Sequence, residues 1–126
     1  MENVSNLESL DTNTLKLLLR SEIAKKQEDS QADFMKFVKT VWPEFIEGNH
    51  HKIYAEKLNR IANGELKRLI VNMPPRHTKS EFASHLFPAF YMGRHPKSKL
   101  IQTTHTGELA IRFGRKAKNL IESEEY

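Results

Sequence analysis

The sequence predicts an α/β fold: a helical N-terminal region, then strand, loop, helix, strand and helix of an incomplete parallel sheet. Three observations carry that expectation. Helical spacing dominates the first half, where Phe34, Phe37, Val38 and Val41 recur on one face. The period then changes at "RLIVNM", residues 68–73, a short and nearly continuous apolar run of the kind shown by a strand buried on both faces. "KLIQTT", residues 99–104, is a second such run after one intervening helical segment, so the two strands can lie parallel through a right-handed crossover.

Taken in chain order, the first helix is expected over residues 12–27, with Leu15, Leu18, Leu19 and Ile23 at helical spacing behind a Thr12 cap. "AKKQEDSQAD" is a polar break and the expected linker, which divides an N-terminal arm (residues 1–30) from the main unit (residues 31–126). A second helix runs from Gln31 to Val41 and closes at "WPEF", because the residue before Pro43 is pushed out of the α region. The third, His50 to Asn63, carries Ile53, Leu58 and Ile61, with Gly64 as its C-cap. After the first strand and a Pro-Pro turn, Phe82, Leu86 and Phe90 fall every fourth residue. Pro88 inside that stripe lacks an N–H and is expected to kink or end the helix. Thr106 caps the last helix, Glu108 sits in its first turn where the helix dipole favours negative charge, and Leu109, Phe113, Ala117, Leu120 and Ile121 form its core face. The sequence closes on "LIESEEY", directly after that helix and without a third strand. The expectation is therefore the front end of a longer protein, with these acids a solvated helix end.

Composition narrows the class. With 126 residues there is room for one modest domain. The chain is 38% hydrophobic and 29% charged, as a soluble globular chain is, and seven Phe, three Tyr and one Trp argue against wholesale disorder. No Cys is present, which excludes disulfides and thiolate metal sites and fits a cytosolic compartment. No run approaches the ~18 apolar residues that a membrane span needs. The opening "MENVSNLESLDTNTLK" lacks the basic start and apolar centre of a signal peptide. The net charge of +4 is uneven: Met1 to Gly64 holds nine Lys/Arg against ten Asp/Glu, and Glu65 to Tyr126 eleven against six. A basic second half points to an anionic partner, nucleotide or nucleic acid, against the plainer alternative of a solvated surface.

The chemistry concentrates in "VNMPPRHTKSEFAS", residues 71–84. The general phosphate-loop pattern is G-x-x-x-x-G-K-[ST] between a strand and a helix. Lys79 and Ser80 match its last two positions, while Met73 and Thr78 stand where the glycines belong. A phosphate site needs converging backbone N–H groups, a flexible ammonium and a hydroxyl for the accompanying Mg²⁺. Pro74 and Pro75 have no N–H, so the donors must come from Arg76, His77, Thr78, Lys79 and Ser80. Thr78 is the objection, because a β-branched residue forced to positive φ is strained by roughly 1–2 kcal/mol. A basic turn that merely starts a helix is the alternative reading.

"MPPRHTKSEFAS", followed by "FPAFYMGRHPKSKLIQTTHTGELAIRFGRKAKNLI", resembles the start of the ATPase domain of the large terminase subunits of tailed bacteriophages. "FVKTVWPEF" and "HHKIYAEKLNRIANGELKRLIV" extend the resemblance back to about Asp33. In that family a pattern like P-P-R-H-x-K-S forms the Walker A loop. The resemblance implies an incomplete P-loop NTPase fold and the ATP-binding part of a motor that drives double-stranded DNA into a procapsid. It implies ATP and Mg²⁺ as cofactors. Its implied partners are DNA, the portal protein, a small terminase subunit and further copies in a ring, at the portal vertex in the host cytoplasm. Carried over by position, Lys79 would contact the β/γ-phosphates, Ser80 would ligate Mg²⁺, and Arg76 would meet the charge of the transferred phosphoryl group. The Walker B strand, the water-orienting glutamate and the nuclease domain of that family are missing from residues 31–126. Binding of ATP without efficient hydrolysis is therefore expected. The alternatives are a non-catalytic interaction module and another P-loop ATPase such as a helicase.

The remaining candidates are weaker. His50 and His51 are adjacent, hence splayed about 100° apart on a helix, and His77, His85, His95 and His105 show no metal-ligand spacing. His105 ends the second expected strand, where a ligand crevice would open. Arg112, Arg115, Lys116 and Asn119 make one basic stripe, read as contacting DNA, a neighbouring subunit's nucleotide or only solvent. Phe34, Phe37 and Trp42 are read as core rather than as a platform for adenine.

Overall fold

The computed structural model describes residues 11–124 and residue 126. The first ten residues, on which much of the signal-peptide reading falls, and Glu125 lie outside the described residues. The fold is helical: 64% helix and no strand or sheet among the described residues. The expected α/β fold with a parallel sheet is thereby overturned. Residues 68–73 and 99–104 both lie outside any helix or strand, and neither makes a backbone ladder with the other. Neither is buried on two faces. Leu69, Val71 and Met73 pack inward on the core while Ile70 between them is 87% exposed, and Ile101 is likewise 87% exposed. An apolar run signals burial, but a strand also needs a partner edge for its N–H and C=O groups, and the described residues offer none.

Five α-helices and one π-helical turn make up the described residues. α1 spans Thr12–Ala32 and runs straight through the expected polar break, because its Lys, Gln and Glu residues are good helix formers. It buries no residue, and Leu17, Leu19 and Ile23 are all exposed. The break falls instead at Asp33, whose carboxylate accepts the Lys36 N–H at 2.9 Å and caps α2, Phe34–Val41. Asn59 of α3, Asn49–Ala62, locks this junction: its Oδ1 accepts from Phe34 N and its Nδ2 donates to Asp33 Oδ2, both at 2.8 Å. The C-cap of α3 is Asn63 rather than the expected Gly64, which follows it and turns the chain out in the left-handed region at φ 79°. No helix is long and apolar enough to cross a membrane among the described residues.

The helical run that starts at Lys79 continues as the π-helical turn, Glu81–Leu86, and α4, Phe87–Arg94. Pro88 therefore neither ends nor breaks it. Proline offers no N–H to the carbonyl four residues back, that of Ser84, and the turn before it widens to bonds five residues apart, as from Phe87 N to Phe82 O. Gln102, from residues 99–104, donates its Nε2 to the orphaned Ser84 carbonyl at 2.7 Å. α5, Gly107–Ile121, is capped as expected by Thr106, whose hydroxyl accepts from Leu109 N at 3.3 Å. It packs against the π-helical turn and α4, and its buried residues are Phe113 and Ala117.

The core is aromatic. Phe34 and Phe82 are fully enclosed, 5.3 Å apart edge to face, and Phe87 and Phe90 meet Phe34 in the same T-shaped way at 5.8 and 5.4 Å. Phe34 and Phe37 are thus core residues, and Trp42 packs on Phe45 at the edge of the same cluster.

The Pro88–Ser84–Gln102 arrangement is tested by a double-mutant cycle. Gln102→Ala should cost about 1 kcal/mol of unfolding free energy in the native background. In Pro88→Ala, where a new N–H competes for the same carbonyl, the cost should fall to less than half of that.

Candidate functional site

The loop from Pro74 to Ser80 is built under strain. Among the described residues, Arg76 (φ 64°) and Thr78 (φ 59°) are the two non-glycine residues with positive φ. A Cβ in this left-handed region crowds the following carbonyl, more so for β-branched Thr78. The sign of φ alternates along Arg76, His77, Thr78 and Lys79, the pattern that turns successive N–H groups toward one concave side. The N–H groups of Arg76 through Ser80 donate to no acceptor among the described residues. The bonds the loop does make brace it from outside. His77 Nδ1 donates to the Pro75 carbonyl at 2.9 Å, and Thr78 Oγ1 to the His77 carbonyl at 2.6 Å.

The loop is anchored to α3 and to the core. Tyr54 donates its hydroxyl to the Lys79 carbonyl at 3.2 Å and stacks on Phe82 at 5.6 Å. Burial pushes the Tyr54 phenol up to about 12, so it stays a donor throughout the working range of pH. Phe82, three residues beyond Lys79, also contacts His51 and Phe45, each at 5.5 Å. Lys79 reaches back along the loop and donates Nζ to the Met73 carbonyl at 3.4 Å, where the general pattern has its first glycine.

A cleft of about 700 Å³ opens over this loop, lined by Pro74, Arg76, Thr78, Lys79 and Ser80 on one side and by Arg112 of α5 on the other. Arg76, Lys79 and Arg112 make no ion pair with a carboxylate among the described residues. The one acid in the wall, Glu81, is already engaged: Lys116 Nζ lies 2.9 and 3.2 Å from its two oxygens, and His85 Nδ1 donates to Oε1 at 2.9 Å. Burial pushes the Glu81 carboxyl up, but the bonds from Lys116 and His85 outweigh it and hold it below its ordinary value. The cleft thus carries an excess of unpaired positive charge beside a row of free N–H groups. That is the chemistry of an anion site with several charges.

Of the residues singled out in the sequence, Arg76, Thr78, Lys79 and Ser80 come together in the cleft. His77 does not line it; its ring turns back on Pro75 and stands 5.8 Å from the His50 ring. His105 lines a smaller hollow of about 230 Å³ beside the cleft, with Thr106, Glu108 and Arg112. Arg112 was visible as part of the basic stripe, but its direction toward the loop was not. Tyr54 was missed altogether, since nothing local in α3 marks its hydroxyl as a brace for residues 25 positions away. His51 was likewise missed as a buried group. It is 7% exposed, its Nδ1 accepts from Gly48 N at 2.9 Å, and its Nε2 has no partner among the described residues. Burial, with the neighbouring His50 and then His77, holds its pKa below the ordinary 6.5. Among the described residues no three His, Asp or Glu side chains converge as a metal site. Compared with known proteins, the chain matches no family model, no curated protein and no solved structure.

Two outcomes are expected. Thr78→Gly removes the strain at positive φ and should raise the unfolding free energy by up to about 1 kcal/mol in urea titration. A histidine kept neutral by burial stabilises the fold fully above its unfolded pKa, and that stability is lost as pH falls below 6.5 toward the folded value. The fall in unfolding free energy from pH 7.5 to pH 5.5 should therefore be smaller in His51→Phe than in the native chain.

Proposed function

We propose that this chain binds the polyphosphate tail of ATP, with Mg²⁺, in the cleft between the Pro74–Ser80 loop and α5. The observation that carries the reading is that Arg76, Lys79 and Arg112 of α5 line one cleft without carboxylate partners among the described residues, beside a loop whose N–H groups donate to no acceptor among them. Lys79 exchanges a long, 3.4 Å bond to a neutral carbonyl for a shorter bond to a phosphate oxygen of opposite charge. The Ser80 hydroxyl supplies a ligand for Mg²⁺, whose other positions are filled by phosphate oxygens and water, as this ion prefers. Arg76 lies on the solvent side of the loop, where it meets the end of the tail.

The wider reading is that of the ATP-binding part of a viral DNA-packaging motor of the large terminase kind. It is supported by the resemblance of residues 33–126, centred on "MPPRHTKS", and not by the helical fold. On that reading the protein acts on double-stranded DNA at the procapsid portal in the host cytoplasm, in a ring with further copies, alongside a small terminase subunit. No free carboxylate stands in the cleft to orient a water, because Glu81 is tied to Lys116 and His85, so binding without efficient hydrolysis is the activity proposed for these residues. A non-catalytic interaction module is the second reading, favoured by the exposed cations Arg115 and Lys118 on α5.

Calorimetric titration of the full chain with Mg·ATP decides between them. Saturable binding is expected, weakened at least about tenfold in Lys79→Ala, a loss of ~1.4 kcal/mol. The helical circular dichroism of that variant should be unchanged. Absence of binding by the folded native chain would leave the interaction module.

A further inference from the structure

The wall of the cleft opposite the loop belongs to α5, and Arg112 is its cation. One turn further along the same face, Lys116 grips both oxygens of Glu81 at 2.9 and 3.2 Å. Glu81 directly follows Ser80, so this ion pair ties α5 to the loop at a defined height. Residues four apart share a helix face, and the tie therefore brings Arg112 over the loop rather than away from it. Glu108, one turn before Arg112, lines the adjoining hollow with it but forms no ion pair with it. The guanidinium thus lines the cleft with its donors uncommitted among the described residues. An arginine fork matches two oxygens of one phosphate, as an ammonium does not.

We infer that Arg112 binds the outermost phosphate of the nucleotide and makes the site distinguish triphosphate from diphosphate, and that the Lys116–Glu81 pair positions it. This rests on the nucleotide reading above. The loop N–H groups and Lys79 hold the part of the tail nearest the turn. The end of the tail, uncovered on the side toward α5, meets Arg112. A diphosphate leaves that guanidinium empty.

The test is calorimetry on the full chain with Mg·ATP and Mg·ADP. Arg112→Ala should weaken Mg·ATP about tenfold, ~1.4 kcal/mol, while Mg·ADP changes less than about twofold. Arg112→Lys should recover only part of the loss. Lys116→Gln should show the same ATP-selective loss to a smaller extent, with Lys116→Arg restoring it; a merely structural role for Lys116 would weaken both nucleotides alike. An equal loss of ATP and ADP in Arg112→Ala, or no loss, overturns the inference. If Lys79→Ala abolishes binding while Arg112→Ala is silent, the nucleotide site stands and the role of Arg112 falls. If the native chain binds neither nucleotide, both fall together.

Discussion

The burial of Phe82 is the contact on which the site depends. It is completely enclosed, and its ring meets Phe34, Phe45, His51 and Tyr54 within 5.3 to 5.6 Å. Those partners come from α2, α3 and the turn between them, so one side chain pins the start of the loop's helix to most of the N-terminal half. The magnitudes show why this matters. Holding Arg76 and Thr78 in the left-handed region costs on the order of 1–2 kcal/mol each. Burying a phenylalanine contributes ~1.5–3 kcal/mol, and each edge-to-face aromatic pair about 0.5–1.5 more. The anchor is thus large enough to impose the strained loop, with the Tyr54 bond to the Lys79 carbonyl added to it. Without Phe82 the loop would relax to negative φ and its N–H groups would diverge.

The second constraint acts on the far wall. α5 is not continuous with the loop, and an exposed ion pair alone is worth less than about 1 kcal/mol. What fixes α5 is a set of small contacts to the same short turn. Phe113 and Ala117 are buried between α5 and its neighbours, Lys116 reaches Glu81, and Gln102 reaches Ser84 from the segment that leads into α5. The π-helical turn is the common surface. Its widened geometry follows from Pro88, so a residue that looks like a helix breaker in fact creates the acceptor that ties down the next segment. π-helical turns recur at functional sites, where a ligand-facing side chain needs an angle that an α-helix does not offer, and Glu81 occupies the first position of this one.

How much of this could be read in the chain follows from the range of each interaction. The helices were legible because their signals are local: Thr106 caps α5, Gly64 closes α3, and Phe34, Phe37 and Val38 mark the buried stripe of α2. The two strands were misread because an apolar run reports burial and not pairing. Ile70 and Ile101 are exposed on chain that makes no ladder among the described residues. The loop was legible from Lys79, Ser80 and the elimination of the prolines as donors, and positive φ at Thr78 was foreseeable from its place in the pattern. Positive φ at Arg76 was not, since nothing in an arginine announces it. Arg112 could be seen as a cation but not as part of the cleft, because its direction depends on Lys116 meeting a carboxylate 35 residues away.

A loop built without glycine behaves differently from one that owes its shape to them. Glycine visits the left-handed region freely and loses much entropy when held there, whereas Pro74 and Pro75 restrict the chain before it folds. Once Phe82 and Tyr54 have imposed the geometry, little further ordering remains for a ligand to induce. Arg76, Lys79 and Arg112 line one cleft whose acid, Glu81, is engaged elsewhere. On the reading proposed above, a polyanion would neutralise those cations and satisfy the free N–H groups in one step. It would bind the folded form alone, because the strained loop has no counterpart in the unfolded chain, and so would add RT ln(1 + [L]/Kd) to stability, about 2.7 kcal/mol at a hundredfold excess over Kd. The strain at Arg76 and Thr78 and the gathering of three cations are then two sides of one arrangement. The anchors of the fold hold the strain, and on the proposed reading a bound phosphate tail would answer the charge.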